Sequence, residues 1–599
     1  MELTFSILSD GKPSCRTEIF APLHTYDVIV VGLGTAGAFA MLGAVKNNLD
    51  TLGIELGTSL GGIGTRGGVW DYYYGARGGL FEKIDKKCFE AESRGYCSVD
   101  NEHNRRKVNG ALKQYILENE VAGKNSTIYF EALLTGVFLD GDRVAGVRIF
   151  CGGVFADYGC KVLIDSTGNS IGARMAGAKF HGGRSYDGGF GKVSKGVVRH
   201  NSGTGCLTCG WGRGCIGGCE SYSELSQIVM ASYCASPNLC ESFGINSRII
   251  YDASILGVRE FPCIEAKEDY TIDDFRQRKR TDRPVFFCVT PFDGTNSVMF
   301  EDKITQDIRF ISMFNNPICF GVPMDIMIPE GIGGILCASR GCGTGHDMSG
   351  AFRMKRDMQK LGEAAAAVAC TAVRDGVDVC DADYEKVKAL LEPTGCFNAC
   401  DDADFAETFN DDMQNYKPAF FPTETEEIKK LLSGDDCSTA LMKIYTSPLD
   451  YLKSELHTWL DSDNRLLSLH SAYALAMRND LSSARVLRDE LGREPHIPKR
   501  PLSMWCHYIP DFSKCLLLLG RLGCTDVYDI AHEIISDRAR TLASRYPKVL
   551  GYTGPGAYEK HFLSLCAAAL YELSKTASFG IDVDFKKLSD EAVRISLEF

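Results

Sequence analysis

The feature that most constrains this chain is a glycine-punctuated turn in the stretch YDVIVVGLGTAGAFA, residues 26–40. The apolar run predicts a β-strand, the glycines a tight turn and the small residues after them a helix, while Thr51 to Glu55 predicts a second strand. In Gly32-x-Gly34-x-x-Gly37, the first glycine permits the turn, the second lets the backbone approach a pyrophosphate, and the third lets the helix pack against the strand. The sequence therefore predicts the start of a βαβ unit that binds a dinucleotide at the positive end of a helix.

Glu55 supports this prediction because it ends the second strand about twenty residues after the turn. A carboxylate there would accept hydrogen bonds from the adenosine ribose hydroxyls, which a 2′-phosphate would prevent. We also expect Ala36 and Leu56, which flank these positions, to contact the dinucleotide. The alternative is a chance glycine turn, and the turn alone does not distinguish FAD from a nicotinamide because both use it.

Length and composition describe a large globular chain. Its 599 residues are too many for one core of ordinary size, so we expect about three or four domain-sized units, or fewer if one is a large α/β body. Apolar residues make up 45% and charged residues 24%, and no apolar run is long enough for a transmembrane helix. Residues 1–25 show no basic start followed by an apolar block, so we expect a cytoplasmic protein without an export signal.

The net charge restricts the kind of partner, and the cysteine content indicates the redox environment. The net charge of −13 opposes binding to a phosphate backbone, so we expect no nucleic-acid partner. The 25 cysteines, in a chain without an export signal, indicate a reducing interior in which thiols stay free. Most of them are expected to be small buried hydrophobes.

Several patterns place further elements along the first 400 residues. Thr127–Phe138 and Arg143–Phe150 read as strands joined by a turn, and a short β-branched run at Lys161–Ile164 stops at Asp165-Ser-Thr-Gly168. A long buried helix is predicted from Ser349 to about Arg374, because apolar residues recur at helical spacing at Met354, Met358, Leu361, Ala365 and Val368.

After about residue 400 the chain reads as a series of helices. They are predicted at residues 424–432, 448–460, 464–478, 481–491, 512–522, 527–544 and 558–573. A pattern of apolar helix, polar break and apolar helix recurs around Asp480 and Asp526, near the roughly 40 to 47 residues of helical-pair repeats. The sequence therefore predicts a helical tail, and its two weak copies of the pattern are compatible with a HEAT-like repeat without defining one.

Four further segments carry a resemblance to a known family. They are LGGIGTRGGVW at 60–70, IDSTGN at 164–169 followed by AGA at 176–178, GVRE at 257–260, and IPEGIGGILCASR at 328–340 followed by Gly341, His346 and Arg353. In this order they resemble the FAD-dependent oxidoreductases of the glutathione-reductase-like group, and within it the family related to fumarate reductase and succinate dehydrogenase flavoproteins. The resemblance covers about residues 26–375, with gaps, and favours FAD over a nicotinamide.

The resemblance implies an α/β fold class. It implies an FAD-binding Rossmann-like domain of three layers, ββα, with an inserted α+β substrate domain, followed by the all-α helical tail. The implied boundaries are residues 1–180 and 325–400 for the discontinuous FAD-binding domain, 181–324 for the substrate domain, which is rich in Gly and Cys at its start, and 401–599 for the helical domain.

The resemblance also implies which residues meet the cofactor. Beyond the first turn, it assigns to FAD the residues Gly61, Gly62, Thr65, Arg66, Gly67, Thr167, Gly168, Arg340, Gly341 and Ser349. A helix that begins close to Ser349 would stabilise negative charge on a reduced flavin. The alternative for Arg66 is that it pairs only with the flavin phosphate.

Four residues are candidates for catalysis. His346 could act as a general acid or base, with helix capping or a flavin contact as the alternative. Arg353, one turn into the predicted helix, could bind a substrate carboxylate or flavin O2, with an ion pair to Asp357 as the alternative. Arg259 and Glu260 could contribute to a proton relay, with a buried salt bridge as the alternative.

The cysteines Cys206, Cys209, Cys215 and Cys219 stand among glycines. Four thiolates this close can surround zinc or a four-iron cluster, and glycines permit the tight turns needed. The spacing matches neither a familiar ferredoxin nor a zinc-ribbon pattern, so free thiols or a redox pair remain as alternatives.

Three functions of different classes are compatible with these patterns. The leading hypothesis is an FAD-dependent dehydrogenase or reductase that moves a hydride between flavin N5 and a small organic substrate. The pocket would be lined by aromatic residues such as Tyr186, Phe190 and Trp211. The alternatives are a nicotinamide-dependent dehydrogenase and a flavin-bearing electron-transfer or scaffold subunit whose helical tail docks a partner protein. We expect no membrane insertion in any of them.

Overall fold

The computed structural model divides into two compact units. The first, the sheet unit, comprises Met1–Phe275, Lys279–Asn296 and Ile318–Lys417, and the second, the helical unit, comprises Arg276–Arg278, Ser297–Pro317 and Pro418–Phe599. The structure describes residues 1–72, 75–94, 107–123, 125–184, 190, 193–203, 207–213, 247–277, 279–290, 303–311, 318–397, 421–497, 509–546, 556–576, 585–596 and 598.

The described strands all belong to the sheet unit. They are β1 Glu2–Ser9, β2 Lys12–Ile19, β3 Thr25–Val31, β4 Thr51–Ile54, β5 Ser126–Tyr129, β6 Leu133–Asp140, β7 Arg143–Cys151, β8 Val154–Asp165, β9 Phe180–His181, β10 Val193–Asn201, β11 Leu207–Arg213, β12 Ser247–Val258, β13 Cys263–Ile264, β14 Pro284–Thr290, β15 Ile318–Pro323 and β16 Ile335–Cys337.

Nine α-helices are described in the first 397 residues. They are α1 Gly37–Lys46, α2 Leu80–Ser93, α3 Gly110–Val121, α4 Ile171–Met175, α5 Ile272–Arg276, α6 Lys303–Phe310, α7 Gly345–Ser349, α8 Lys355–Asp375 and α9 Tyr384–Leu391.

A nine-stranded mixed sheet organises the sheet unit. Its order is β2-β1-β6-β7-β8-β3-β4-β5, and β16 pairs with β8 beside this path. Strands β3, β4, β5, β16 and the second half of β8 pair in parallel, while β1, β2, β6, β7 and the first half of β8 pair antiparallel. Continuous burial of Val28, Ile29 and Val30 is typical of a parallel strand covered on both faces. The predicted α/β fold class with a helical C-terminal region is confirmed, and the sheet is mixed.

The hairpin of β1 and β2 was not anticipated from the sequence. It turns through Asp10 and Gly11, both of which have positive φ, and β1 pairs with β6. Leu3 and Phe5 are buried against Phe138 and pack in one cluster with Phe20. The hairpin thus extends the antiparallel half of the sheet.

Helices α1 and α8 pack closely through small residues. A β-carbon built on Gly43 would lie 2.7 Å from Cβ of Ala366, and one built on Gly362 would overlap the carbonyl oxygen of Ala36. The predicted buried helix is confirmed, but it begins at Lys355 rather than at Ser349. Residues before it form the separate short helix α7, because the chain leaves the helical path at Gly350–Met354.

Helices also fill the described part of the helical unit after residue 420. They are α10 Thr425–Leu432, α11 Ser438–Tyr445, α12 Lys453–Trp459, α13 Arg465–Met477, α14 Ala484–Leu491, α15 Asp511–Arg521, α16 Val527–Ser536, α17 Arg540–Ser544, α18 Ala557–Thr576 and α19 Phe585–Ser596. The predicted helix at 527–544 is broken, because Arg538 and Ala539 have positive φ. In the described ranges no helix combines the length and apolar character that crossing a membrane requires.

Helix α6 belongs to the helical unit although it lies within the predicted substrate domain. Its Asp307 is fully buried, pairs with the guanidinium of Arg521 and accepts a hydrogen bond of 3.2 Å from Tyr445. Lys303 donates a hydrogen bond of 2.9 Å to the carbonyl of Met477. The boundary between the two compact units therefore differs from the predicted domain boundary at this helix. A separate substrate domain at 181–324 and a HEAT-like repeat stay predictions.

Candidate functional site

The three glycines of the first turn differ in the space available for a side chain. Gly32 has a φ of 81°, and a β-carbon built on it would lie 2.7 Å from the carbonyl oxygen of Ser166. A β-carbon on Gly37 would overlap the carbonyl oxygen of Gly32, so the helix packs onto the turn without room for a side chain. A β-carbon on Gly34 would meet no atom within 4 Å. The turn is therefore closed on two sides and open at Gly34.

The carboxylate of Glu55 is tied to this turn. It accepts hydrogen bonds from the backbone N–H of Leu33 at 2.6 Å and of Gly57 at 2.7 Å. The carboxylate therefore stands at the end of β4 beside the turn, as predicted. Leu56 is 68% exposed, whereas Ala36 is buried with its carbonyl facing Gly362 of α8.

The glycine run at 60–70 packs directly against the first turn. The N–H of Gly61 donates to the carbonyl of Leu33 at 2.9 Å, and a β-carbon on Gly62 would lie 2.8 Å from Cα of Gly34. Thr65 is buried, and its hydroxyl donates to the carbonyl of Leu60 at 2.7 Å. The sequence-predicted residues of these two segments therefore lie together.

Arg66 and Gly67 have different surroundings from their neighbours. Arg66 is exposed, its guanidinium donates to the hydroxyl of Thr58, and its carbonyl accepts from the Tyr251 hydroxyl at 2.6 Å. A β-carbon on Gly67 would overlap Cα of Ile63. Gly67 thus permits close packing of the run, while Arg66 points toward the loop after Glu55.

The end of β8 forms the third part of the site. Asp165 is fully buried and accepts hydrogen bonds from the backbone N–H and the hydroxyl of Thr167 and from the N–H of Ala173. Burial raises the pKa of Asp165, against the effect of these hydrogen bonds. Gly168 has a φ of 79°, and a β-carbon on it would lie 3.2 Å from Nη2 of Arg340. Thr167, Gly168 and Arg340, which the resemblance assigns to FAD, are thus neighbours.

Residues 340–355 contact both the strand end and the glycine run at 60–70. Gly341 packs against Ser170, leaving no space for a β-carbon, and its carbonyl accepts from the N–H of Ile264 at 2.8 Å. At the other end, Nζ of Lys355 donates to the carbonyl of Val69 at 2.5 Å. Half-buried Ser349 is the last residue of α7 rather than the first of a long helix.

In the middle of this segment, His346 meets Glu260. Nδ1 of His346 lies 2.6 Å from Oε1 of Glu260, and the two residues are only 8% and 2% exposed. Two residues that the sequence analysis singled out separately therefore form one buried pair, and Glu260 bonds to His346. Arg259 beside it is half-buried.

Arg353 does not lie one turn into a helix, since it stands in the connection before α8. It is half-buried, and the basic groups that act on the pKa of Asp357 are Lys360 and Arg356 rather than Arg353. Oδ2 of Asp357 accepts a hydrogen bond from the thiol of Cys288 at 3.4 Å. Burial raises the pKa of Asp357 to about 7.

Sequence reasoning missed a buried cluster beside the glycine run. Nζ of Lys113 donates to the Tyr72 hydroxyl at 2.6 Å, to Asp85 at 2.8 Å and to Gln359 at 2.6 Å. All four residues are buried, with Lys113 only 4% exposed. A lone lysine at a core position of the helical pattern in α3 is the signal that could have revealed it.

The predicted metal-binding cysteines are not open to description. Cys206, Cys215 and Cys219 lie outside the described residues, and of Cys209 only the backbone position in β11 is described. Within the described ranges no group of His, Cys, Asp or Glu side chains could hold a metal ion. The buried thiols that are described include Cys263, Cys337 and Cys342, whose pKa values are raised by burial.

The geometry of the first turn fits the diphosphate of a dinucleotide. The open side of Gly34 leaves backbone within reach of a ligand, next to the N-terminus of α1, where backbone N–H groups and the helix dipole favour an anion. The carboxylate of Glu55 beside it suits ribose hydroxyls.

Comparisons with solved structures find distant likenesses. A geranylgeranyl bacteriochlorophyll reductase-like protein from Thermoplasma acidophilum is 13% identical, with 78% of this chain and 99% of that chain covered, at a TM-score of 0.31. The flavin-dependent brominase Bmp2 is 13% identical, with 60% and 82% covered, at a TM-score of 0.34. The myxobacterial chondrochloren halogenase CndH is 12% identical, with 40% and 65% covered, at a TM-score of 0.29. TM-scores of this size carry no argument about this protein.

Sequence comparisons are decisive at the level of the family. A search of curated proteins finds none that matches this chain. The family model described as FAD-dependent oxidoreductase matches residues 27–207 and 240–391, which is more than half of the chain. The predicted membership is confirmed, while the relation to fumarate reductase stays a prediction. The chain belongs to the FAD-dependent oxidoreductase family.

Proposed function

We propose that this protein is an FAD-dependent dehydrogenase or reductase that transfers a hydride between flavin N5 and a small organic substrate. The observation that carries the proposal is the buried His346–Glu260 pair, at 2.6 Å, in which His346 lies on the segment that also touches the strand end at Gly168 and the glycine run at Val69. When bound, FAD supplies the hydride acceptor or donor. The residues of this chain supply binding, orientation and proton transfer.

The pair is arranged for proton transfer. A carboxylate that accepts a hydrogen bond from Nδ1–H holds an imidazole in one orientation and one tautomer, so that Nε2 carries the lone pair. Burial strengthens this hydrogen bond, because the local dielectric constant is low. His346 would then take up or deliver the proton that accompanies hydride transfer, and Glu260 would position it.

The residues that would hold the cofactor are those of the three glycine-bearing parts. They are Gly32, Gly34, Gly37, Glu55, Gly61, Gly62, Thr65, Thr167, Gly168 and Arg340, with Lys355 as an addition from the structure. Their mutual contacts support one continuous binding region. Arg353, half-buried next to α8, is proposed to orient an anionic group of the substrate.

An anaerobic screen of hydroxy acids, sugars, unsaturated acids and steroids for flavin bleaching or reoxidation would test the proposal. With the compound found, His346→Gln is expected to retain flavin and to slow the reaction roughly a hundredfold or more. Glu260→Gln is expected to slow it less and to change its pH profile. His532→Gln, at an exposed histidine of the helical unit, is the matched control and should react normally.

Two results would contradict the proposal. Normal rates in His346→Gln would remove its acid–base role. Flavin that binds but is neither bleached nor reoxidised by any compound of the screen would favour an electron-transfer or scaffold subunit instead.

A further inference from the structure

A cleft with a volume of about 360 Å³ lies in the sheet unit beside β9. Phe180, Phe190 and Pro262 give it apolar walls, and Arg174 and His181 add two basic side chains. None of the glycine loops described above lines it. The cleft is therefore separate from the glycine-bearing segments that are proposed to bind FAD.

Arg174 brings a positive charge to this cleft. It lies in the last turn of the short helix α4, and its guanidinium carbon lies 5.9 Å from the centre of the Phe180 ring, within the range of a cation–π contact. The side chain is half-buried, and among the described residues no carboxylate lies within ion-pair distance of it. A guanidinium held by an aromatic ring retains its hydrogen-bond donors for a ligand anion.

His181 is the second basic group. Its Nε2 lies 3.4 Å from Oδ2 of Asp269, and the interaction with this carboxylate raises the pKa of His181. Pairing of His181 with Cys263 across β9 and β13 fixes the backbone that carries the ring. The ring therefore stands at the cleft wall in a defined orientation.

The cleft lies next to the His346–Glu260 pair. A β-carbon built on Gly345, the residue before His346, would lie 3.4 Å from Cε1 of His181. Pro262 follows Glu260 closely in the chain and lines the cleft. A ligand in the cleft would thus lie close to the pair.

We propose that this cleft binds an organic anion that carries a carboxylate on an apolar body. The carboxylate would pair with Arg174, and the apolar body would lie against Phe180 and Phe190. A guanidinium recognises a carboxylate through two parallel hydrogen bonds, and aromatic walls exclude water from this contact. The site does not depend on the proposed function, because its binding equilibrium can be measured without turnover.

Isothermal titration of the full-length protein with benzoate tests the proposal, with benzamide as the neutral analogue and inorganic phosphate as the anion without an apolar body. We expect benzoate to bind at least roughly tenfold more tightly than either. Arg174→Gln is expected to raise the Kd for benzoate by about tenfold or more. Arg485→Gln, which removes an exposed arginine of the helical unit, is the control and should leave it unchanged.

A second pair of variants guards against a folding defect in Arg174→Gln. Pro13 is exposed and lines the same cleft, so Pro13→Glu adds a competing carboxylate without disturbing the core, whereas Pro13→Gln adds a neutral group of the same size. We expect weaker benzoate binding in Pro13→Glu and unchanged binding in Pro13→Gln. Equal binding of benzoate and benzamide, equal binding in wild type and both charge variants, or no benzoate binding at millimolar concentration would overturn the proposal.

Discussion

The two compact units differ in the buried groups whose pKa is shifted by burial. In the sheet unit they include acids, since burial raises the pKa of Asp357 to about 7 and also raises that of Glu363. In the helical unit they include imidazoles, since burial lowers the pKa of His470 and of His561 to about 4. Burial disfavours the charged form in both cases, so the acids resist losing a proton as the pH rises and the imidazoles resist gaining one as it falls.

The first turns of helices α8 and α18 also differ in the residues that they bury. Helix α8 buries Arg356, Asp357 and Lys360 near its start, whereas α18 buries mainly apolar residues such as Phe562 and Leu563. Both helices nevertheless pack closely at a glycine, because a β-carbon on Gly362 of α8 would overlap the carbonyl oxygen of Ala36, and one on Gly520 of α15 would lie 2.5 Å from the carbonyl oxygen of Ala569 in α18. The comparison shows that close packing at glycine occurs in both units, so that such packing by itself does not distinguish a binding unit.

The largest effect is expected at Gly34, the open glycine of the first turn. Gly34→Val places a side chain in the open space where a diphosphate would approach, so we expect loss of bound flavin and a Kd for FAD raised on the order of a hundredfold or more. Gly434, in the helical unit, also has no atom within 4 Å of a built β-carbon, which makes Gly434→Val the matched control. Fluorescence titration with FAD would measure both. Unchanged affinity in Gly34→Val would refute the assignment of this turn.

A smaller effect concerns the buried acid of the sheet unit. Because the folded protein holds the proton of Asp357 more tightly than the unfolded chain, this carboxyl stabilises the fold below about pH 4, and the stabilisation is lost as the pH rises through about 7. Asp357→Asn is expected to remove this dependence and to raise the free energy of unfolding above pH 7 by about 2 kcal/mol. The full pKa difference would give more, but the variant loses attraction to Lys360. Chemical denaturation between pH 4 and 8 would measure it, and parallel curves for both proteins would contradict it.

The smallest expected effect concerns the buried imidazoles of the helical unit. Nδ1 of His470 lies 2.8 Å from the carbonyl of Leu432, and the lowered pKa means that stability present above about pH 6.5 is lost as the pH falls toward about 4. His470→Asn keeps a donor at this position and should reduce the loss by about 1 kcal/mol. Hydrogen exchange in α13 would report it, with exposed His24→Asn as the control. Equal acid sensitivity in His470→Asn would show that other groups set the response.

Much of the site could be predicted because its parts are short local motifs. Strand, turn and helix from Thr25 to Lys46 match the expectation, as does Glu55 at the end of β4. The start of the long helix could not be placed, because Ser349 already lies in the separate helix α7. Apolar spacing continues through both helices, and only the path of the chain at Gly350–Met354 separates them.

The sequence by itself determined the positions where backbone geometry is restricted by local sterics. Gly32 and Gly168 have positive φ, and Gly37 has no room for a side chain, which are properties of a few adjacent residues. Only the tertiary structure decided that His346 meets Glu260, that Lys113 is buried with Asp85, and that α6 packs with Arg521. The physical reason is that such contacts join residues far apart in the chain, so that they depend on how whole elements pack and not on the spacing within any one of them.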